Sequence, residues 1–278
     1  MPRRTTISAV LIAAVLALVA PSAHAADTTY YLALGDSLSV GAQPVGAGNA
    51  VAATSEGYAD QLYAKLKAAD PNLQLVKLGC IGETAHSFVS GGSCSYSGAS
   101  SQLGAARAFL KKYGAKVRYV TISIGAQEVY GCITPTGADI ACMLKGLLSA
   151  GLYMPQVTGG IKLAAAGKTT LLGMNWYNPA VVAWLLGDDG KSQAKQSVLV
   201  NQTLNLKMKL NYGTWGFKLA DVCKDWRCND WTEDTPYGWP RTVWDVVARS
   251  WIANVPGVWL PKGHGYGNIA DTFYSLVK

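Results

Sequence analysis

The chain alternates between two kinds of segment, and this limits its possible folds more than any other feature. Short apolar, β-branched or aromatic runs are separated by longer stretches with helical periodicity. Tyr31–Leu34, Leu73–Leu78, Val117–Ile124, Thr169–Met174 and Phe217–Asp221 read as strands. Tyr58–Ala69, Leu103–Tyr113, Asp139–Ala166, Ser192–Tyr212 and Tyr266–Val277 read as helices, the third broken near Pro155 or Gly159-Gly160. Such alternation predicts a parallel sheet covered by helices on both faces, with a functional site at the carboxyl ends of its strands. No repeat or linker divides residues 26–278, so one domain is expected. Within it, the Trp-rich stretch from Trp226 to Trp259 reads as irregular.

Residues 1–25 read as an export signal. Arg3 and Arg4 give a basic start, Ile7 to Ala20 an apolar core, and Ala23-His24-Ala25 the small residues of a cleavage site. Cleavage after Ala25 would leave a secreted, soluble protein, since no later segment reads as long and apolar enough to span a membrane. The formal charge is +7, and +5 once Arg3 and Arg4 are removed. It is dispersed, which favours a mildly basic surface over nucleic-acid binding. The expected chain is a monomer.

All six cysteines lie beyond the signal, and an even number in an exported protein points to disulfides. Fifteen pairings are open. Local pairing (Cys80–Cys94, Cys132–Cys142, Cys223–Cys228) is expected, because each pair brackets a loop-like stretch. Zinc fits poorly: there is no Cys-x-x-Cys, and only His86 and His264 remain after cleavage.

Three strand ends carry chemistry. Ser37, in YYLALGDSLS, sits on a tight turn as a candidate nucleophile. Gly82, in LGCIGETAHSF, could offer an unobstructed backbone N–H to an oxyanion, and Gln127, in SIGAQEVYGC, a side-chain amide. A serine also needs a base, and His264 is the candidate, with His86 the less favoured one. Each has a plainer reading: Ser37 as a turn residue, Gly82 as a turn glycine, His264 as a loop histidine, His86 as a rim residue packed locally.

These three blocks in order resemble the SGNH (GDSL) hydrolase family, especially secreted actinobacterial esterases and lipases with three disulfides. GMNWYNP and the terminal GYGNIADTFY extend the likeness through most of the chain. The resemblance implies a flavodoxin-like α/β/α sandwich on a mainly parallel five-stranded sheet, and ester hydrolysis without a cofactor. It also implies Ser37 as nucleophile, with the Ser37 and Gly82 N–H groups and a block-three side chain holding the oxyanion. The chain departs from the family where Gln127-Glu128 replaces Asn-Asp, and where Leu260 falls at the histidine position, His264 lying about four residues late.

The expected function is therefore a secreted serine esterase or lipase. It would cleave a small-molecule, lipid or polysaccharide acyl ester through an acyl-enzyme on Ser37, with His264 as base. The alternative is a weak or inactive protein of the same fold that binds a ligand such as a glycan, for which the clustered tryptophans would supply stacking faces. The Gly- and Ala-rich loop Ala42–Glu56 reads either as a border of the site or as plain surface.

Overall fold

The computed structural model describes residues 27–277 apart from 47, 49, 256 and 257, so the expected export signal and its expected cleavage position lie outside the described residues. The five expected strands form one parallel sheet: β1 Thr29–Gly35, β2 Leu73–Lys77, β3 Val117–Ser123, β4 Thr170–Met174 and β5 Lys218–Ala220, in the order β2-β1-β3-β4-β5. The central strands β1, β3 and β4 are almost continuously apolar and buried, as strands with helices on both faces must be. The edge strands β2 and β5 are partly exposed and carry Lys77 and Lys218.

One face is covered by α1 Tyr58–Ala69 and α9 Gly263–Tyr274. Tyr58, Leu62 and Leu66 recur every four residues and bury one stripe of α1, while Tyr266, Ile269, Ala270 and Phe273 do the same for α9. The Tyr58 and Phe273 rings stack at 5.1 Å. Burying each such side chain stabilises the fold by about 1.5–3 kcal/mol.

The other face carries α2 Ala85–Ser90, α3 Gln102–Tyr113, the single turn α4 Gln127–Tyr130, α5 Ile140–Ala164 and α6 Asp188–Trp215. α5 runs unbroken for 25 residues, against the expected break. Pro155 removes one backbone donor, but the helix continues through it. The Met154 carbonyl accepts from Thr158 Oγ1 and Asn211 Nδ2, at 2.9 and 3.3 Å. Gly159 and Gly160 are needed for close approach: a Cβ on either would come within 2.9 Å of Trp215 or Leu103. Among the described residues α5 is also long and apolar enough to cross a membrane, contrary to the reading from sequence. Its Met143, Leu147, Met154, Val157 and Ile161 are buried against neighbouring elements.

Two further short helices follow β5: α7 Val222–Asp225 and α8 Arg241–Arg249. The Trp-rich stretch is thus less irregular than its composition suggests. α8 forms because Val243 and Val246 bury one face beside a buried Asp245, which accepts from Arg227 Nε and Nη2 at 2.5 and 2.8 Å.

Cys80–Cys94 and Cys132–Cys142 are disulfides, as expected. Cys223 and Cys228 are not: both are buried free thiols, which corrects the third expected pair. The turn from α7 directs Cys223 Sγ toward Asn201 Oδ1 and Cys228 Sγ toward the Trp176 carbonyl, each at 3.7 Å. The two thiols adjoin without a covalent bond.

Candidate active site

β1 runs straight into the turn that carries Ser37. The strand register pairs Gly35 with Ser123 and continues one residue further, with the Asp36 N–H donating to the Ser123 carbonyl at 2.9 Å. Only glycine fits at 35, where φ is +125° and a Cβ would lie 2.0 Å from the Ser123 oxygen. Asp36 then closes an Asx turn: its Oδ1 accepts the Leu38 N–H at 3.0 Å, and its carbonyl accepts from Ser39 Oγ at 2.7 Å. Asp36 is buried and its Oδ2 has no partner, so burial holds its carboxyl well above the ordinary carboxylate range.

Ser37, only 6% exposed, is brought together with Gly82. The Cys80 N–H donates to the Gly35 carbonyl at 3.0 Å, docking the second loop on the first. Gly82, at φ +78°, turns its N–H onto Ser37 Oγ at 3.2 Å. The Ser37 N–H itself has no acceptor among the described residues. Two backbone donors thus flank the hydroxyl, the arrangement that an oxyanion requires.

A buried polar network the sequence did not disclose holds these loops. Gln102 is fully buried and clamps Gly35, accepting its N–H at 2.7 Å and donating to its carbonyl at 2.9 Å. The same Nε2 donates to Glu83 Oε2 at 2.9 Å. Buried Glu83 also accepts from Tyr96 OH, at 3.1 Å, and from Ser87 Oγ. Ser87 completes a capping box with Thr84 at the start of α2. The Cys80–Cys94 disulfide closes the loop containing Glu83. The one cue in the sequence was the run of Glu83, Tyr96 and Gln102 around a disulfide loop, and none of them marks a partner.

The remaining candidates are placed elsewhere. Gln127 opens α4 half-buried, and no hydrogen bond joins its side-chain amide to Ser37 or Gly82; its Nε2 folds toward Gly131. Glu128 has a structural task, since its Oε1 accepts the Ala85 N–H at 2.5 Å and so fixes the start of α2 against α4. Burial raises its carboxyl above the usual range. His86 is exposed and packs edge-on against Tyr153, ring centroids 4.6 Å apart.

His264 is exposed in the first turn of α9, and its Nε2 meets the Ala248 carbonyl at 3.0 Å. A carbonyl only accepts, so Nε2 donates to it, and Nδ1 is the ring nitrogen left without a hydrogen-bond partner among the described residues. No hydrogen bond joins His264 to Ser37. The segment before it buries Val258, Trp259 and Leu260 instead of presenting polar side chains. The site thus holds a positioned hydroxyl with two donors but no base bonded to it.

No family model matches the sequence, and no curated protein sequence does. Solved structures share its shape. An extracellular lipase of Streptomyces rimosus superposes with a TM-score of 0.54 at 20% identity, covering 89% of this chain and 99% of its own. A phospholipase A1 of Streptomyces albidoflavus gives 0.51 at 15%, covering 90% and 99%. An acetyl xylan esterase gives 0.53 at 13%, covering 90% and 100%. At such identities the likeness speaks for architecture alone. With its parallel five-stranded sheet and flanking helices, the chain has the SGNH-hydrolase α/β fold.

Proposed function

We propose that the chain is an exported ester hydrolase of low turnover that works through Ser37. One observation carries this reading: Ser37 Oγ lies 3.2 Å from the Gly82 N–H at the carboxyl edge of the sheet, with its own N–H unpartnered beside it. Attack of the hydroxyl on an ester carbonyl would put negative charge on an oxygen within reach of both donors; collapse would break the ester C–O bond and release the alcohol, which takes up the proton lost by Ser37, and water would then hydrolyse the acyl-enzyme to the free acid. The proton passes by way of His264, through its free Nδ1. Because no hydrogen bond links that ring to Ser37 in the resting structure, turnover should be slow. Oxyanion donors and binding alone supply roughly 10³–10⁴-fold over water, and a base not held against the hydroxyl adds little to that. The lipases and esterases that share the fold support the reaction class, and the two disulfides support an oxidising compartment.

Hydrolysis of nitrophenyl acetate and butyrate by the purified chain, compared with Ser37→Ala, tests the proposal. A loss of about 100-fold is expected, the low end of what positioned acid–base and nucleophilic groups supply. Equal rates would sink it. A second reading, a ligand-binding protein on the same scaffold, is favoured by the exposed His264 held on Ala248. That reading predicts equal rates.

A further inference from the structure

The face of α6 that looks toward the Arg227–Glu233 loop has no part in the ester site. Two adjoining depressions run along it, about 910 and 390 Å³ in volume, and Trp231 forms a wall of both. The helix floor comes from Lys195, Gln202, Asn205 and Lys209. At 100° per residue these fall within about 80° of one another on one face, and from the first to the last the helix rises about 21 Å. The groove is therefore elongated, and suits a linear ligand better than a compact one.

Its chemistry is specific. Trp184 and Trp231 meet at the narrow end with ring centroids 5.5 Å apart, both half-buried and so partly open to solvent. The ammonium groups of Lys191 and Lys195 each stand 5.7 Å from the Trp184 ring centre. Amides line the middle, where Gln202 Nε2 donates to Asn229 Oδ1 at 3.0 Å. Lys195, Lys209 and Lys224 form no ion pair among the described residues, and neither do the lining carboxylates of Asp221 and Glu233; with Arg227 committed to Asp245 and Asp230 to Arg241, three free ammonium groups stand against two free carboxylates and leave an excess of positive charge. Aromatic faces stack on sugar rings, amides and hydroxyls match sugar hydroxyls, and unpaired ammonium groups call for carboxylates.

We propose that this groove binds an acidic oligosaccharide, a short linear chain of uronate units. One ring would stack on Trp231, and the carboxylates would reach Lys195, Lys209 and Lys224. The larger depression reaches Asn175 and Asp221, just past the carboxyl ends of β4 and β5. These strands lie two and three places from β1, roughly 10–14 Å across the sheet from the strand that carries Ser37. The proposal does not depend on turnover at Ser37.

Titration calorimetry of the purified chain with hexagalacturonate, and separately with cellohexaose, tests it. Hexagalacturonate should bind saturably, at least tenfold tighter than the neutral chain, and more weakly as salt rises. Trp231→Ala should weaken it tenfold or more, and Trp231→Phe should recover most of the loss. The surface double variant Lys195→Ala/Lys209→Ala, which threatens no core packing, should weaken it tenfold and erase most of the salt dependence. Ser37→Ala and Trp244→Ala, the latter outside the groove, should bind as the parent does. Absence of saturable binding to hexagalacturonate would overturn the proposal. So would equal affinity for cellohexaose, or unchanged affinity in both the Trp231→Ala and the double-lysine variants.

Discussion

Replacing Gln102 by leucine should unfasten the loops of the candidate site without touching any residue proposed to react. The side chain is fully buried, so water cannot take over its bonds. Leucine removes the acceptor of the Gly35 N–H, bonded at 2.7 Å, and leaves that donor buried and orphaned, at a cost of about 1–3 kcal/mol. It also removes the amide's donated bonds: its two hydrogens serve the Gly35 carbonyl and Glu83 Oε2, both at 2.9 Å, with Tyr96 OH sharing the second at 3.1 Å. Each of those acceptors keeps another partner, the Cys80 N–H for the carbonyl and Tyr96 OH for the carboxylate. Each bond therefore costs only its net worth, about 1 kcal/mol and somewhat more where the acceptor is charged. The total is about 3–5 kcal/mol. For a chain of this size that is a fall in Tm of about 6–20 °C. Urea unfolding followed by tryptophan fluorescence gives the difference directly. Gln156→Leu is the control, since its amide bonds the Leu152 carbonyl from an exposed position and should cost almost nothing. A Gln102→Leu loss below 1 kcal/mol, or one no larger than the control, would refute the idea that this network holds the Gly35 and Gly82 loops together.

Two further outcomes follow from buried groups. Burial keeps the Asp36 carboxyl well above its ordinary range. The unfolded carboxyl sheds its proton near pH 4 while the folded one retains it. The resulting stability is full below about pH 4 and is lost as pH rises toward the folded value. Asp36→Asn should flatten the decline in stability between pH 4 and pH 8, measured by urea midpoints, and parallel pH profiles for parent and variant would contradict this. Burial likewise pushes the Cys228 thiol up. Ellman's reagent should therefore find essentially no reactive thiol in the folded chain and two after unfolding without reductant; none after unfolding would mean that Cys223 and Cys228 had joined.

The architecture was legible because it rests on local periodicity. Apolar runs such as Tyr31–Leu34 and Val117–Ile124 are short and rich in aromatic or β-branched residues, as largely buried strands are, and the four-residue recurrence of Tyr58, Leu62 and Leu66 makes a helix stripe. Where helix and strand assignments missed, long-range packing overrode a local signal. α5 passes through Pro155 because Asn211 and Trp215, more than fifty residues away in sequence, support it. α8 emerges from a Trp-rich stretch because Asp245 meets Arg227.

The candidate site divides in the same way. The sequence by itself determined that Ser37 would stand on a strand-end turn and that a glycine would follow the second strand, because both depend on residues adjacent in the chain. Only the tertiary structure decided which groups meet. It put the Gly82 N–H on Ser37 Oγ, turned Glu128 to cap α2, clamped Gly35 with Gln102, and held His264 against Ala248. The physical reason is that a hydrogen bond is satisfied by distance and angle and not by sequence spacing. A histidine a few residues out of register enters the helix on a different face, and no local pattern records which carbonyl it will find there.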